Sequence, residues 1–175
     1  MRRPGPLTPP APAPRREPVR AVVALGSNLG DRAQIIADAR DALARLPLTT
    51  AVVMADPIES VALTLDGLDE TKPPYLNTVA LVTTTLAPSM LLAHLHGIEK
   101  EHGRERVERW GDRTLDLDLI AYGDVQSTDP HLLLPHPRAA ERDFVLAPWL
   151  TLDPDAELVG FGRVADLLAR LRGTA

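Results

Sequence analysis

An α+β fold with the element order βαββαβ and an antiparallel sheet is predicted for this chain, on three observations. Short runs rich in Val, Thr and Leu recur four times; two helical stretches fall after the first and third runs; and the second and third runs are joined by a polar segment without helical period. That order places the two helices on one face of the sheet, the ferredoxin-like arrangement.

Each element has its own warrant. Val19 to Leu25 is a β-branched run that reads as a buried strand, and Gly26-Ser27-Asn28-Leu29-Gly30 reads as the turn that ends it. Asp31 is placed to cap a helix reaching Leu46, with Ile35, Ile36, Ala39, Leu43 and Leu46 on one face and Pro47 as its stop. Ala51 to Ile58 forms the second strand, residues 63–74 a long polar loop, and Leu76 to Leu86 the third strand. Pro88 suits the first turn of a helix that runs to His102, with Gly103 as its C-terminal signal. Leu115 to Tyr122 is the fourth strand. A C-terminal extension follows, with a short helix from Val164 to Leu171.

The 175 residues, 45% of them hydrophobic, suffice for one domain, assigned to 19–175. Residues 1–18 hold seven of the 17 prolines and few large apolar side chains, so they are read as a disordered tail. A net charge of −5 argues against general affinity for nucleic acid or anionic membrane. An RNA-binding sheet of the same topology needs exposed aromatics and a basic surface, and this chain has only six aromatic residues. With no cysteine there is no disulfide, thiolate metal site or cysteine nucleophile. No apolar run approaches the roughly 20 residues that span a bilayer. Met1-Arg2-Arg3 leads into no apolar segment, so a cytoplasmic location is expected.

The sharpest chemical signal is Arg109-Trp110-Gly111-Asp112-Arg113-Thr114-Leu115-Asp116-Leu117-Asp118-Leu119. On a strand the leucines point one way and Asp116 and Asp118 the other, with the two α-carbons about 6–7 Å apart. Strands are poor in Asp, and two hard carboxylates converging on one point suit Mg²⁺ whose other ligands are waters and phosphate oxygens. A bare Asp-x-Asp pair is more often only the solvated face of a strand. Here Arg104, Arg106, Arg109 and Arg113 lie just upstream, and guanidinium groups suit phosphate oxygens. Pairing with Glu101, Glu105 and Glu108 is the competing account of those arginines, strongest for Arg104 and weakest for Arg113. Gly26 to Gly30 lacks the Lys and spacing of a Walker motif, so a turn that frames a pocket is the reading adopted.

Taken together, Tyr75-Leu76-Asn77, the Arg-Trp-Gly-x-Arg-Thr-Leu-Asp-Leu-Asp segment, Pro135-His136 and Arg142-x-Phe144 resemble the 6-hydroxymethyl-7,8-dihydropterin pyrophosphokinases of folate biosynthesis, over essentially all of 19–175. The resemblance implies the ferredoxin-like fold and diphosphate transfer from ATP to the hydroxymethyl group of 6-hydroxymethyl-7,8-dihydropterin, with release of AMP. It implies two Mg²⁺ ions on Asp116 and Asp118, and Arg104 and Arg106 on a catalytic loop that closes over the triphosphate. By the same resemblance Arg113, His136 and Arg142 hold phosphates, while Glu99, Arg109, Trp110 and Leu119 lie nearer the rest of the nucleotide. Tyr75 and Phe144 sandwich the pterin, Asn77 bonds its edge, and Ser60 and Leu63 line the same pocket. The family's pterin-lining Thr-Pro-Pro falls at Ser60-Val61-Ala62, where both prolines are missing. A monomer acting on ATP and the pterin alcohol, without nucleic acid or membrane partners, is expected.

Overall fold

The computed structural model describes residues 16–60, 62–64, 67–69, 73–102 and 114–173, and of 62–64 and 67–69 the backbone alone. Nearly all of the Pro-rich tail, and the arginine-rich segment 103–113 with the expected stop at Gly103, lie outside the described residues. In chain order the elements are β1 (Val19–Ser27), α1 (Arg32–Ala44), β2 (Thr49–Met54), β3 (Ile58–Ser60), β4 (Ala62–Thr64), β5 (Gly67–Asp69), β6 (Tyr75–Thr84), α2 (Pro88–Glu101) and β7 (Asp116–Tyr122). The C-terminal extension adds β8 (Ser127–Asp129), β9 (Leu132–Leu134), a 3₁₀ turn (Ala139–Glu141), α3 (Asp143–Leu152), β10 (Glu157–Leu158), β11 (Gly162–Arg163) and α4 (Val164–Leu171).

The main sheet has the order β2-β6-β1-β7, with β3 also on β6, and all its pairs are antiparallel. With β2 and β3 taken as one interrupted strand, this is the βαββαβ topology the sequence predicts. Strand alternation builds two cores. Ala21, Val23 and Leu25 of β1, Ala80 and Val82 of β6, and Leu117 and Leu119 of β7 face Ile36, Ala39 and Leu43 of α1 and Leu91, Leu95 and Ile98 of α2. Val22, Val79, Leu81 and Ile120 face the other way, against Val145, Leu146 and Trp149 of α3 and Val164 and Leu167 of α4. The C-terminal extension therefore packs on the second face.

Several boundaries differ from the sequence reading for definable reasons. Gly26 and Ser27 are not turn residues: they pair with Asn77 and Leu76, so β1 runs two residues further and the turn begins at Asn28. The expected strand from Ala51 to Ile58 is broken at Ala55–Pro57, where Pro57 has no N–H to give the ladder. Pairing with β6 slips by one residue across that break, from Met54↔Ala80 to Ile58↔Asn77. The segment read as loop contains the β4–β5 hairpin. Asp31 caps α1 as expected, its Oδ1 accepting the Gln34 N–H at 3.1 Å. Helix α3 was not foreseen, because Pro148 lies inside it and no side chain caps its start.

Candidate active site

The site is built by cross-strand register where β1 ends, at the margin of the second core. Two rows cross the sheet. Val79, Ala24 and Asp118 stand in line in one; Ile58, Asn77, Gly26 and Asp116 stand in line in the next. Paired residues project to the same side of a sheet, so Asn77 and both aspartates share the face of the second core. Tyr75 and Ser60, paired with one another, extend it by one further row.

Asp116 and Asp118 are each partly exposed, as a pair of ligand carboxylates must be. Asp118 is flanked by cations from the C-terminal extension. Arg142 Nη1 donates to its Oδ2 at 2.7 Å, and His136 Nε2 lies 3.8 Å from the same oxygen. His136 is fixed from two sides: its N–H donates to Ile120 O at 2.8 Å, and its Nδ1 accepts the Arg138 N–H at 3.2 Å. An accepting Nδ1 leaves the proton of the neutral ring on Nε2, toward Asp118. Burial lowers the His136 pKa; Asp118 works against that shift, while Arg142 and Arg138 add to it. The guanidinium carbon of Arg142 also stands 5.8 Å from the centroid of the Phe144 ring, a cation–π distance. Arg142 Nε is buried with no hydrogen-bond partner among the described residues.

On the β6 side, Asn77 is buried and its Nδ2 donates to Ser60 Oγ at 2.7 Å. Phe144, at the start of α3, packs partly buried against the second core. The structure thus brings Ser60, Tyr75, Asn77, Asp116, Asp118, His136, Arg142 and Phe144 to one end of one face. Two expected residues lie elsewhere. Leu119 is buried in the first core, so its side chain is turned from the carboxylates and only its backbone borders the face. Glu99 of α2 is 1% exposed, and its Oε1 accepts the Leu117 N–H at 3.0 Å, between the two aspartates but from the α2 side. The Leu63 side chain and Arg104, Arg106, Arg109, Trp110 and Arg113 lie outside the described residues. Sequence reasoning gave Gly26 to a turn framing a pocket and missed its strand position between Asn77 and Asp116, although a glycine inside a strand signals a close approach by another group.

Fold and site together define a ferredoxin-like α+β domain whose open sheet end carries paired carboxylates, a guanidinium, an imidazole and a buried amide. A model of the family described as 7,8-dihydro-6-hydroxymethylpterin-pyrophosphokinase (HPPK) matches residues 22–154. The chain is 42% identical over 150 residues to the 2-amino-4-hydroxy-6-hydroxymethyldihydropteridine pyrophosphokinase of Pseudomonas aeruginosa, covering 86% of this chain and 90% of that one. The enzyme of the same name from Haemophilus influenzae is 35% identical over 150 residues, 86% of this chain and 91% of the relative. Among solved structures, Plasmodium falciparum HPPK-DHPS wild type matches with a TM-score of 0.62 at 14% identity, over 89% of this chain and 41% of that one, a likeness of fold. The chain belongs to the 7,8-dihydro-6-hydroxymethylpterin-pyrophosphokinase family.

Proposed function

We propose that this chain transfers a diphosphate group from ATP to the hydroxymethyl group of 6-hydroxymethyl-7,8-dihydropterin, releasing AMP, as a step of tetrahydrofolate biosynthesis. The observation that carries the reading is the shared face: Asp116 and Asp118 stand beside Arg142 and His136, with Asn77 in register across Gly26. Family membership supplies the reaction class, and this geometry divides its labour.

Asp116 and Asp118 fit a hard divalent cation. They are oxygen donors on one side of a strand with the exposure that phosphate and water ligands require. Among the described residues no third acidic or imidazole side chain completes a protein cage, which suits a site shared with phosphate oxygens. Asp116 and Asp118 would hold two Mg²⁺ ions, which would supply neutralisation of phosphate charge for an in-line displacement. Arg142 and His136 orient phosphate oxygens from the opposite side, and Arg113 adds a further guanidinium. Arg104 and Arg106 bring positive charge as the reaction proceeds, while Arg109, Trp110 and the Leu119 backbone hold the rest of the nucleotide. Tyr75 and Phe144 stack on the pterin, Asn77 fixes its edge, and Ser60 and Leu63 bound the pocket.

The acceptor oxygen bonds to the β-phosphorus as the bond bridging to the α-phosphate breaks. Such transfer asks for alignment and charge neutralisation more than for covalent help from the protein. The working unit of this proposal is a monomer. AMP formation from ATP, Mg²⁺ and the hydroxymethylpterin is the test. Asp116→Ala and Asp118→Ala are each expected to abolish turnover, and full activity in either variant overturns the assignment of the carboxylates.

A further inference from the structure

Along the second face β1 reads Val22, Ala24, Gly26, so its side chains shrink step by step toward the site. Val22 is buried in the second core, Ala24 packs at its margin, and Gly26 follows between Asn77 and Asp116. Gly26 needs no unusual backbone: it is a strand residue, and its φ is not among the positive ones. What the position uses is the missing β-carbon. A Cβ there would lie 2.8 Å from Asn77 Oδ1 and 3.8 Å from Tyr75 Cδ1. The first distance is well inside the roughly 3.5–4.0 Å of favourable heavy-atom contact. The amide that blocks it has little freedom to withdraw, being 8% exposed and tied through Nδ2 to Ser60 Oγ at 2.7 Å.

We propose that Gly26 is a specificity-determining residue of the acceptor pocket: its bare α-carbon lets the Asn77 amide lie across β1 in the orientation fixed by Ser60, in the row that ends at Asp116. Two strand spacings separate the Asn77 and Asp116 positions, about 9–10 Å, a span suited to a flat, amide-bearing heterocycle held by its edge at Asn77 and directed toward Asp116. An amide presents N–H donors on one side and a carbonyl acceptor on the other, so it reads such a ring edge only in one orientation. A methyl at residue 26 meets the Asn77 oxygen and turns the amide away from the ring edge. The inference rests on the reading of Asn77 as the group that bonds the pterin edge.

The experiment measures two affinities of the full chain. One is for hydroxymethylpterin in the presence of Mg²⁺ and a non-hydrolysable ATP analogue; the other is for the Mg²⁺–analogue complex alone. Gly26→Ala is expected to weaken pterin binding about tenfold or more, the order of one lost hydrogen bond, with nucleotide affinity unchanged. In an Asn77→Ala background the same substitution meets no oxygen and is expected to add less than about twofold. Ser60→Ala adds no atom to the fold and is expected to weaken pterin binding alone, because it frees the amide. A penalty for Gly26→Ala that persists in full without Asn77, or unaltered pterin binding in Ser60→Ala, overturns the proposal. A wild-type chain that binds no hydroxymethylpterin overturns the proposed function instead.

Discussion

Asp118 on β7 and Glu99 on α2, which packs against that strand, show how differently two carboxylates are used. Asp118 is partly exposed and already neutralised by Arg142 at 2.7 Å, so its charge is held for a ligand on the open face. Glu99 is wholly enclosed and accepts the N–H of Leu117, the residue between the two aspartates. A buried acceptor on that amide fixes the backbone from which both carboxylates project. Glu99→Ala is therefore expected to destabilise the fold by about 1–3 kcal/mol, the cost of leaving a buried group unsatisfied, visible as a Tm several degrees lower. Glu99→Gln keeps an oxygen for Leu117 and should recover most of that loss. If Glu99 touched nucleotide instead, Glu99→Gln would lose affinity for an ATP analogue while keeping its Tm. Thermal melts and analogue titrations of the two variants separate these outcomes. Strand alternation put Asp116 and Asp118 on one face in the sequence, and the arginines upstream gave that face its phosphate reading. The sequence could not reveal the role of Glu99, because the partner of its carboxylate is a backbone amide and backbone amides leave no trace in residue identity.

At the scale of elements, the readable parts were those with a local cause. Val19 onward, the Asp31 cap and Val164–Leu171 each carry their own signals, and all three elements formed where read. The break between β2 and β3 was signalled by Pro57, whereas α3 is held chiefly by the burial of Val145, Leu146 and Trp149 against the sheet. That burial is tertiary, so it overrode the unfavourable Pro148. One guanidinium bridges the start of α1 to the strands on the Asn77 side of the site. Arg32, the first residue of α1, donates from Nη2 to Glu59 at 2.9 Å and from Nη1 to the Pro74 carbonyl at 2.6 Å. One side chain thereby ties the stretch that ends β3 to the entry of β6, on either side of residues 61–72. The Glu59 side chain is 61% exposed, so the ion pair itself contributes little once screened by solvent. The effect belongs to local order rather than global stability. Arg32→Ala is expected to leave Tm almost unchanged, to speed amide exchange across Ile58–Ser60, and to raise the pterin KM severalfold without changing that for ATP. Unchanged exchange in β3 would show that the two stems hold their places without the clamp.

For the whole molecule, one irregularity decides how the two cores share β7. Pairing with β1 runs Leu119↔Val23 and then Ala121↔Val22, so Ile120 is the extra residue of a bulge. Without it Tyr122 would point into the second core with Ile120. With it, Ile120 and Ala121 both serve the second core, and Tyr122 turns into the first. There its hydroxyl donates to the Leu86 carbonyl just before α2, linking the end of the sheet to the start of the helix that covers it. Burial raises the Tyr122 pKa above the ordinary phenol value of 10.0, with the charge of Arg16 working against the shift. A group whose pKa is raised by folding stabilises the native state fully below its unfolded pKa and loses that contribution as pH climbs through the folded value. Tyr122→Phe is accordingly expected to cost about 1–3 kcal/mol between pH 7 and 9, from the unpaired buried carbonyl. The stability difference between wild type and Tyr122→Phe should then shrink as pH rises past 10, as the wild-type phenol ionises and the variant has none to lose. Denaturant melts of both chains from pH 8 to 11 measure that difference directly. A gap that stays constant across the range would mean that Tyr122 ionises as readily in the fold as outside it, and that the bulge directs the ring without enclosing its hydroxyl.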